Sequence, residues 1–409
     1  MASTAAESKP APTEVESKKA SRTQTLPASW FTNQEVFELE RRGLFTKTWL
    51  YVCHNAYFKK AGDYKLFTVA TFPIFLVMGK DNQIRAFHNV CRHRAYPVVK
   101  KESGSTTVLG CRYHGWSYDT LGNLVKAPSF DDVPGFKKEE NGLYPIHVHV
   151  ASGGFIFVNM EAKEKPSVSF SEHFGEMEKE LEKIDFTKFE FRETFTMQGK
   201  FNWKTLMDGY QECYHCPVAH PGLARDFNIN TYVVTPKSHY CIHTCQRKDA
   251  ADLKKSADAE FTGSADGLWM YVYPNVGINV YSTSWYSIRV NPLSAGETLL
   301  EYEVFVAKDA PEQEKADFVK FLKQLEQEDF DLCVLTQANL EKGIYHEGVL
   351  HDFRERGVLY YQGEVRRMLE EHAALEKKAG RKILSASWAP AEADDIICGG
   401  SCEPSELKW

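Results

Sequence analysis

Two short loops, each carrying one cysteine and one histidine, constrain the fold of this chain most strongly. Cys91 and His93 lie in CRHRAYP, and Cys111 and His114 lie in CRYHGWSYD. These four residues could simply be buried side chains that bind no ligand. A structural zinc site is another explanation, although its usual halves are a Cys pair and a His pair. A Rieske-type [2Fe–2S] centre needs two thiolates on one iron and two imidazoles on the other, and two such loops would supply them.

The sequence around these loops predicts an antiparallel, all-β domain over 48–160. Runs of β-branched and aromatic residues, such as YKLFTVATFPIFLVMGK and GGFIFVN, alternate with turn residues at 79–82, 122–123 and 153–154. The preceding segment, 29–47, has the pattern of an amphipathic helix. We therefore expect a short helix followed by a β domain.

A second candidate metal site lies in NWKTLMDGYQECYHCPVAHPGL, residues 202–223. His215 and His220 are five positions apart, and Asp208 and Glu212 come just before them. Two imidazoles and one carboxylate form the facial triad of non-haem iron(II) oxygenases. Positions i and i+5 lie about 140° apart on a helix, so the segment must bend, and Pro217 would allow that. Ordinary hydrogen-bonded histidines near a helix end are the alternative.

Composition excludes several other classes of protein. The chain has 409 residues, of which 43% are hydrophobic, so two or three domains with sizeable cores are expected. A net charge of −7 argues against a nucleic-acid partner. The sequence has no apolar run long enough to predict a transmembrane helix, so we expect no membrane partner. Ten cysteines without an apolar leader favour reduced thiols or metal ligands. We expect a disordered tail over 1–28 and a cytoplasmic location, with organellar import left open.

The two loops, followed by NWK and DGYQECYHCPVAHP, resemble the α subunits of Rieske non-haem iron oxygenases, the ring-hydroxylating family. The resemblance covers nearly all of 33–385. It implies an α+β fold: a Rieske domain, then a helix-grip catalytic domain of antiparallel sheet plus helices over 161–385. A C-terminal tail over 386–409 would follow, in which Cys398 and Cys402 have metal-like spacing.

The resemblance also implies two cofactors, a [2Fe–2S] Rieske cluster and a mononuclear Fe(II). Cys91 and Cys111 would hold one iron of the cluster, and His93 and His114 the other. His215 and His220 would hold the catalytic iron. The third ligand would come from FLKQLEQEDFDLCVLTQANLEKG, where Asp329 is followed eight positions later by Gln337; Asp331 is the second choice.

In the family, the carboxylate three residues before the first iron histidine links that iron to the cluster of a neighbouring subunit. Glu212 occupies this position. Such a carboxylate accepts an N–H from each of two ligand imidazoles and fixes their tautomers. Asp208, one turn earlier, would either support this bridge or be a solvated helix carboxylate. The implied oligomer is a closed head-to-tail ring, commonly a homotrimer.

Aromatic residues after the iron motif suggest the substrate. Each is individually typical of a core, but together they would form a box for a cationic group through cation–π contacts. They are Trp269, Tyr271 and Tyr273 on one strand face, with Tyr281 and Trp285 on a second.

YPNVGIN and Glu212 are similar to the branch of choline monooxygenase and the glycine betaine or carnitine oxygenases. That similarity implies C–H hydroxylation with O2, taking choline to betaine aldehyde hydrate or N-demethylating a betaine. A separate ferredoxin or NAD(P)H-dependent reductase would supply electrons, because the chain has no flavin or nicotinamide fingerprint. An oxygenase of aromatic or other uncharged substrates remains an alternative, as does a zinc-stabilised, non-catalytic binding protein.

Overall fold

The computed structural model describes residues 23–248 and 268–388, and contacts divide the chain into two compact units. Among the described residues, one unit contains 38–185 and 371–388, and the other contains 23–37, 186–248 and 268–370. Cys398 and Cys402, and most of the predicted tails, lie outside the described residues. No helix in the described ranges is long and apolar enough to span a bilayer.

The helix predicted over 29–47 is divided into shorter pieces. These are α1 (Ser29–Thr32), α2 (Gln34–Glu40) and a π-helical turn (Arg41–Phe45). The break occurs at Asn33, whose backbone is extended and whose side chain accepts the N–H of Glu35 at 2.7 Å. An asparagine that caps a new helix in this way ends the preceding one.

The predicted disordered tail is wrong for its last residues. Gln24 forms a β-bridge with Val349, and Leu26 is buried, with its N–H donating to Oε1 of Gln362 at 2.8 Å. These contacts are long-range, so the local composition on which the prediction rested contains no sign of them.

The unit that contains 38–185 is mainly antiparallel β-structure, which confirms the prediction of an all-β domain. Its larger sheet has the order β1-β10-β9-β4-β3-β2-β5, and its smaller sheet has the order β6-β7-β8. The strands are β1 (Leu50–His54), β2 (Asp63–Val69), β3 (Phe72–Met78), β4 (Ile84–His88), β5 (Ser103–Ser105), β6 (Leu109–Gly110), β7 (Ser117–Tyr118), β8 (Leu124–Lys126), β9 (Pro145–Ala151) and β10 (Phe155–Asn159). Two short helices follow, α3 (Phe170–Phe174) and α4 (Met177–Leu181).

The strand patterns and turns explain this arrangement. β3 and β10 are almost continuously apolar and lie inside the sheet, as expected for strands covered on both faces. The β2–β3 hairpin has a two-residue link, Ala70–Thr71, in which both residues have positive φ. That backbone matches the twist of the flanking strands. The first Cys/His loop follows β4, and the second connects β6 to β7.

The other unit has one antiparallel sheet, ordered β11-β17-β16-β15-β14-β13-β12, with helices against it. The predicted helix-grip class is therefore confirmed. The strands are β11 (Phe189–Gly199), β12 (Phe227–Pro236), β13 (Tyr240–Arg247), β14 (Leu268–Val272), β15 (Val276–Val280), β16 (Ser284–Ser294) and β17 (Glu297–Ala307). The helices are α5 (Trp203–Tyr210), α6 (Cys216–Ala219), α7 (Pro221–Asp226), α8 (Glu312–Leu340) and α9 (Arg356–Ala379).

Helix α8 contacts both α5 and β17. Its buried positions include Phe318, Leu322, Glu326 and Cys333, a spacing that places them along one face of the helix. Asp329 lies on the same helix, one turn after Glu326. The packing of α8 thus brings two carboxylates against the sheet.

Candidate metal centres and adjoining cavity

The two Cys/His loops have nearly the same backbone conformation. In each, the cysteine N–H donates to the carbonyl five residues later, and the cysteine carbonyl accepts the N–H four residues later. That fourth residue is Ala95 in the first loop and Gly115 in the second, and both have positive φ, +56° and +76°. Two equivalent turns therefore present Cys91 and Cys111 in equivalent positions.

The four predicted cluster ligands come together. Cys91 and Cys111 are buried with their thiols in contact, and the rings of His93 and His114 are 4.5 Å apart between centroids. His93 Nδ1 is buried without a hydrogen-bond partner within the described residues. Burial, then the charges of His114 and Arg94, lowers the pKa of His93. A neutral imidazole with a free lone pair and two adjacent thiols fit a Rieske cluster.

Tyr118 also contacts this centre. Its hydroxyl lies 3.3 Å from Sγ of Cys91 and accepts the backbone N–H of Arg92 at 3.1 Å, which leaves its proton for the sulfur. Hydrogen bonds to the sulfurs help to set the reduction potential of iron–sulfur clusters. Tyr118 lies in the GWSYD motif, but the sequence analysis gave it no role.

His215 and His220 are brought together by loops and not by one kinked helix. α5 ends at Tyr210, His215 immediately precedes α6, and His220 separates α6 from α7 with φ −121° and ψ 73°. Pro217 lies in the first turn of α6, where its missing N–H breaks no helical hydrogen bond. The segment therefore bends as expected, but it does so before α6 and at His220, and not at Pro217.

Three potential ligand atoms converge on one point. Nε2 of His215 and Nε2 of His220 are 3.1 Å apart, and Oδ1 of Asp329 is 3.0 Å from the second and 3.5 Å from the first. Ligands at right angles, each about 2.1 Å from a metal, would be separated by roughly 3 Å, so this spacing fits a facial triad. Asp331 is exposed and accepts a hydrogen bond from Gln327 at 2.8 Å, which argues against it as the third ligand.

Cys216 is a competing candidate ligand, because its sulfur also lies near both imidazoles. The sulfur is 3.9 Å from Nε2 of His215 and belongs to a disulfide with Cys213. A disulfide sulfur is not the thiolate that binds metals, so Asp329 is the better third ligand. The expectation of reduced thiols is wrong for this pair, while no disulfide joins the other cysteines of the described residues.

Each iron-site imidazole also has its own carboxylate partner. Nδ1 of His215 is 2.5 Å from Oε1 of Glu212, and Nδ1 of His220 is 2.9 Å from Oε2 of Glu328. Such partners fix the tautomer and direct Nε2 towards the metal. Glu328 had no role in the sequence analysis, and its position next to Asp329 is the only local indication of one.

Asp208 is not a solvated helix carboxylate. Its Oδ1 accepts hydrogen bonds from the hydroxyl of Tyr361 and from Nε2 of Gln362, the latter at 2.6 Å. Burial raises the pKa of Asp208 to about 7, against the lowering effect of these donors. The hydrogen bonds of Asp208 therefore join α5 to α9. A role in holding these two helices together fits this geometry better than a role in supporting Glu212.

The electrostatics of the triad favour a cation. Burial lowers the pKa of His215, but the hydrogen bonds of Asp329 and Glu212 outweigh burial and raise it to about 10. For Asp329, burial raises the pKa, and the two histidines overcome that effect and lower it to about 2. The surrounding carboxylates therefore stabilise positive charge at this point, and a divalent cation would satisfy them.

A cavity of about 110 Å³ adjoins the triad. Six aromatic residues form much of its wall, and none of its described lining residues is a lysine or arginine. These aromatic residues are Tyr210, Phe227, Tyr232, Trp269, Tyr281 and Tyr286.

Only two of the five predicted substrate residues, Trp269 and Tyr281, line this cavity. Tyr271 is buried and donates its hydroxyl to the carbonyl of Pro274 at 2.8 Å. Tyr273 lies beyond the end of β14, with its hydroxyl 3.4 Å from the sulfur of Met368. Trp285 is fully buried.

Trp285 stacks on Phe305 with ring centroids 4.0 Å apart, as a core residue does. The prediction of a role in the substrate site is therefore wrong for Tyr271, Tyr273 and Trp285. Sequence analysis missed Tyr210, Phe227, Tyr232 and Tyr286, which come from α5, β12 and β16.

Two family descriptions match the chain. Residues 48–137 match the Rieske [2Fe-2S] domain, and residues 186–371 match the ring hydroxylating alpha subunit (catalytic domain). The carnitine monooxygenase oxygenase subunit of Acinetobacter baumannii is 28% identical over 357 residues, covering 83% of this chain and 93% of that protein. The chloroplastic choline monooxygenase of Arabidopsis thaliana is 28% identical over 344 residues, covering 80% of this chain and 79% of that protein.

Solved structures are also similar. A crystal structure of a quaternary ammonium Rieske monooxygenase, in complex with an inhibitor, superposes with a TM-score of 0.76 at 26% identity. The superposition covers 85% of this chain and 97% of the chain in that crystal structure. This chain therefore shares its fold with a solved Rieske monooxygenase over most of its length.

Proposed function

Because the chain belongs to the Rieske non-haem iron monooxygenase family, with a [2Fe–2S] cluster and a mononuclear iron as its cofactors, we propose that it hydroxylates a C–H bond of a small quaternary ammonium compound. Hydroxylation of the carbinol carbon of choline would give a hydrate that loses water to form betaine aldehyde. Hydroxylation of an N-methyl group would release formaldehyde.

The aromatic cavity beside the triad is the observation that carries this proposal. Aromatic faces attract a quaternary ammonium group by about 0.5–2 kcal/mol per contact. The described wall offers carboxylates and no cationic side chain, so it favours a cation over an anion.

The names of the relatives support the same substrate class. They include oxygenase subunits of carnitine and glycine betaine monooxygenases and a choline monooxygenase. The non-catalytic zinc protein is set aside, because both matched domains are those of an iron oxygenase. An uncharged or aromatic substrate becomes an outcome of the test below.

The cofactors supply electrons and oxygen activation when bound, and the residues of the chain position them. Cys91, His93, Cys111 and His114 would hold the cluster, and His215, His220 and Asp329 would hold the catalytic iron. Glu212 and Glu328 would keep each imidazole in the tautomer that leaves Nε2 for the metal.

We further propose that electrons pass between subunits through Glu212. Its Oε1 meets His215, while Oε2 accepts the N–H of Tyr214, whose ring is 59% exposed. A half-exposed aromatic residue beside a ligand-bound carboxylate suits contact with a neighbouring subunit. The corresponding assembly is a head-to-tail homotrimer that receives electrons from a separate ferredoxin or reductase.

The experiment supplies the iron- and cluster-loaded protein with a surrogate reductase, NADH, oxygen and a mixture of candidate substrates. The mixture contains choline, glycine betaine, carnitine and simple aromatic acids, and mass spectrometry identifies the products. We expect oxidation of at least one trimethylammonium compound. Turnover of an aromatic acid alone would refute the substrate class and leave the oxygenase assignment intact.

A further inference from the structure

A second carboxylate, apart from the iron ligands and their partners, lies in the cavity wall. Glu326 is on α8, one turn before Asp329, and it is only 6% exposed. Its Oε1 accepts the hydroxyl of Tyr286 at 3.1 Å, and its Oε2 accepts the hydroxyl of Tyr302 at 2.8 Å. Both oxygens are therefore held in place by neutral donors.

No ion pair joins Glu326 to a lysine or arginine within 23–248 and 268–388. Taking a carboxylate out of water without a positive partner is costly. Burial and then the negative charge of Asp329 raise the pKa of Glu326 to about 7, even though the two tyrosine hydroxyls and the charge of His220 lower it. The cavity wall thus contains an acidic group without a lysine or arginine counter-ion, beside several aromatic rings.

Tyr286 connects these two features, because its ring lines the cavity and its hydroxyl holds Glu326. We infer that Glu326 is the counter-charge for the trimethylammonium group and determines the preference for a cationic substrate over an uncharged one of the same shape. This inference rests on the proposed function. Aromatic rings also accept an uncharged tert-butyl group by hydrophobic contact, so they discriminate weakly between the two kinds of ligand. The negative charge of Glu326 would supply that discrimination.

The test compares two ligands that differ in charge and hardly in shape, choline and 3,3-dimethylbutan-1-ol. Isothermal titration calorimetry measures the affinity of each for the iron- and cluster-loaded protein, so the readout does not depend on turnover. In E326Q we expect choline affinity to fall by at least about tenfold while affinity for the carbon analogue stays within about twofold. Iron content and the cluster spectrum check that the variant is folded.

Two further variants make the comparison specific. E314Q makes the same change on α8, about three turns earlier and outside the cavity, and should leave both affinities unchanged. Y302F removes one donor to Glu326 from a residue that does not line the cavity. We expect it to weaken choline binding less than E326Q does, with little effect on the analogue, so the inference stays testable if E326Q does not fold.

The outcomes separate the inference from the proposed function. If wild-type protein prefers choline and E326Q keeps the same preference, Glu326 is not the counter-charge, while the proposed function stands. An equal loss of both ligands in E326Q would indicate a general packing role and also overturn the inference. If wild-type protein binds no quaternary ammonium compound, the proposed function fails and the inference fails with it.

Discussion

The assignment of the third iron ligand predicts a graded loss of metal in three variants of helix α8. Asp329 Oδ1 is 3.0 Å and 3.5 Å from the two imidazole nitrogens, so D329N removes a ligand and its charge. Glu328 would act on the metal only through His220, whose Nδ1 is 2.9 Å from Oε2 of Glu328. Asp331 is exposed and bonded to Gln327, which makes D331N a matched control.

We expect the loss of iron affinity in E328Q to be smaller than that in D329N, and its size follows from the hydrogen bond to His220 that E328Q weakens. A bond to a charged acceptor is worth about 1.5–3 kcal/mol, and a neutral one about 0.5–1.5 kcal/mol. The difference is on the order of 1.4 kcal/mol, or about tenfold in iron affinity, at the lower end of the range for partners of metal ligands. We expect wild type and D331N to bind Fe(II) equally, E328Q about tenfold more weakly and D329N more weakly still.

Anaerobic titration of the metal-free protein with Fe(II), against a competing chelator, measures these affinities. The Rieske absorbance serves as an internal check of folding, since the cluster ligands belong to the unit that contains 38–185 and the three substituted residues to the other unit. An iron affinity in D329N equal to that of wild type would refute the triad. A loss in D331N as large as that in D329N would transfer the ligand role to Asp331.

Three further predictions concern other parts of the two centres. E212Q should leave cluster content unchanged and, like E328Q, weaken iron binding by about tenfold, because it weakens the same kind of hydrogen bond to a ligand imidazole. In protein loaded fully with iron it should still slow the oxidation of the reduced cluster by O2 and substrate, on the order of 10–100-fold in stopped-flow absorbance; unchanged kinetics would refute the bridge. Y118F should lower the cluster potential by about 20–60 mV in a spectroelectrochemical titration, because a hydrogen bond that favours the more negative reduced state is lost; an unchanged potential would contradict this. Choline should bind more weakly as the pH falls from 8 to 6, by up to about tenfold, because a carboxyl with a pKa of about 7 becomes protonated. The carboxyl in question is Glu326. Four groups act on it: the hydroxyls of Tyr286 and Tyr302, which stay neutral because burial raises their pKa, and Asp329 and His220, which contact each other in the triad. All four are retained in E326Q, so calorimetry of that variant should show no such pH dependence.

The parts of the site that sequence analysis identified are those encoded in short motifs. Cys91, His93, Cys111 and His114 lie within two loops, and His215 and His220 within one, so their spacing alone suggested metal chemistry. Asp329 came from the family resemblance and not from spacing. Its distances of 3.0 Å and 3.5 Å to the imidazoles depend on how α8 packs, which no local pattern records.

The cavity was predicted less well because its wall is assembled from distant segments. Tyr271 lies two positions after Trp269 on β14, the spacing of residues on one strand face, yet its ring packs against Tyr361 of α9 and does not line the cavity. Tyr232 and Tyr286 lie on strands β12 and β16, near opposite ends of the sheet order, and both line it. Their proximity is a result of tertiary packing, as is the burial of Glu326.

Single-turnover product analysis tests the central claim most directly, because it needs no partner protein. The loaded enzyme is reduced chemically without oxygen, freed of excess reductant, and then mixed with O2 and choline, glycine betaine or carnitine. We predict betaine aldehyde or formaldehyde in an amount that approaches the bound iron, together with reoxidation of the cluster that requires the substrate. Reoxidation without any product from all three compounds, or product from aromatic acids only, would contradict the assignment to quaternary ammonium substrates.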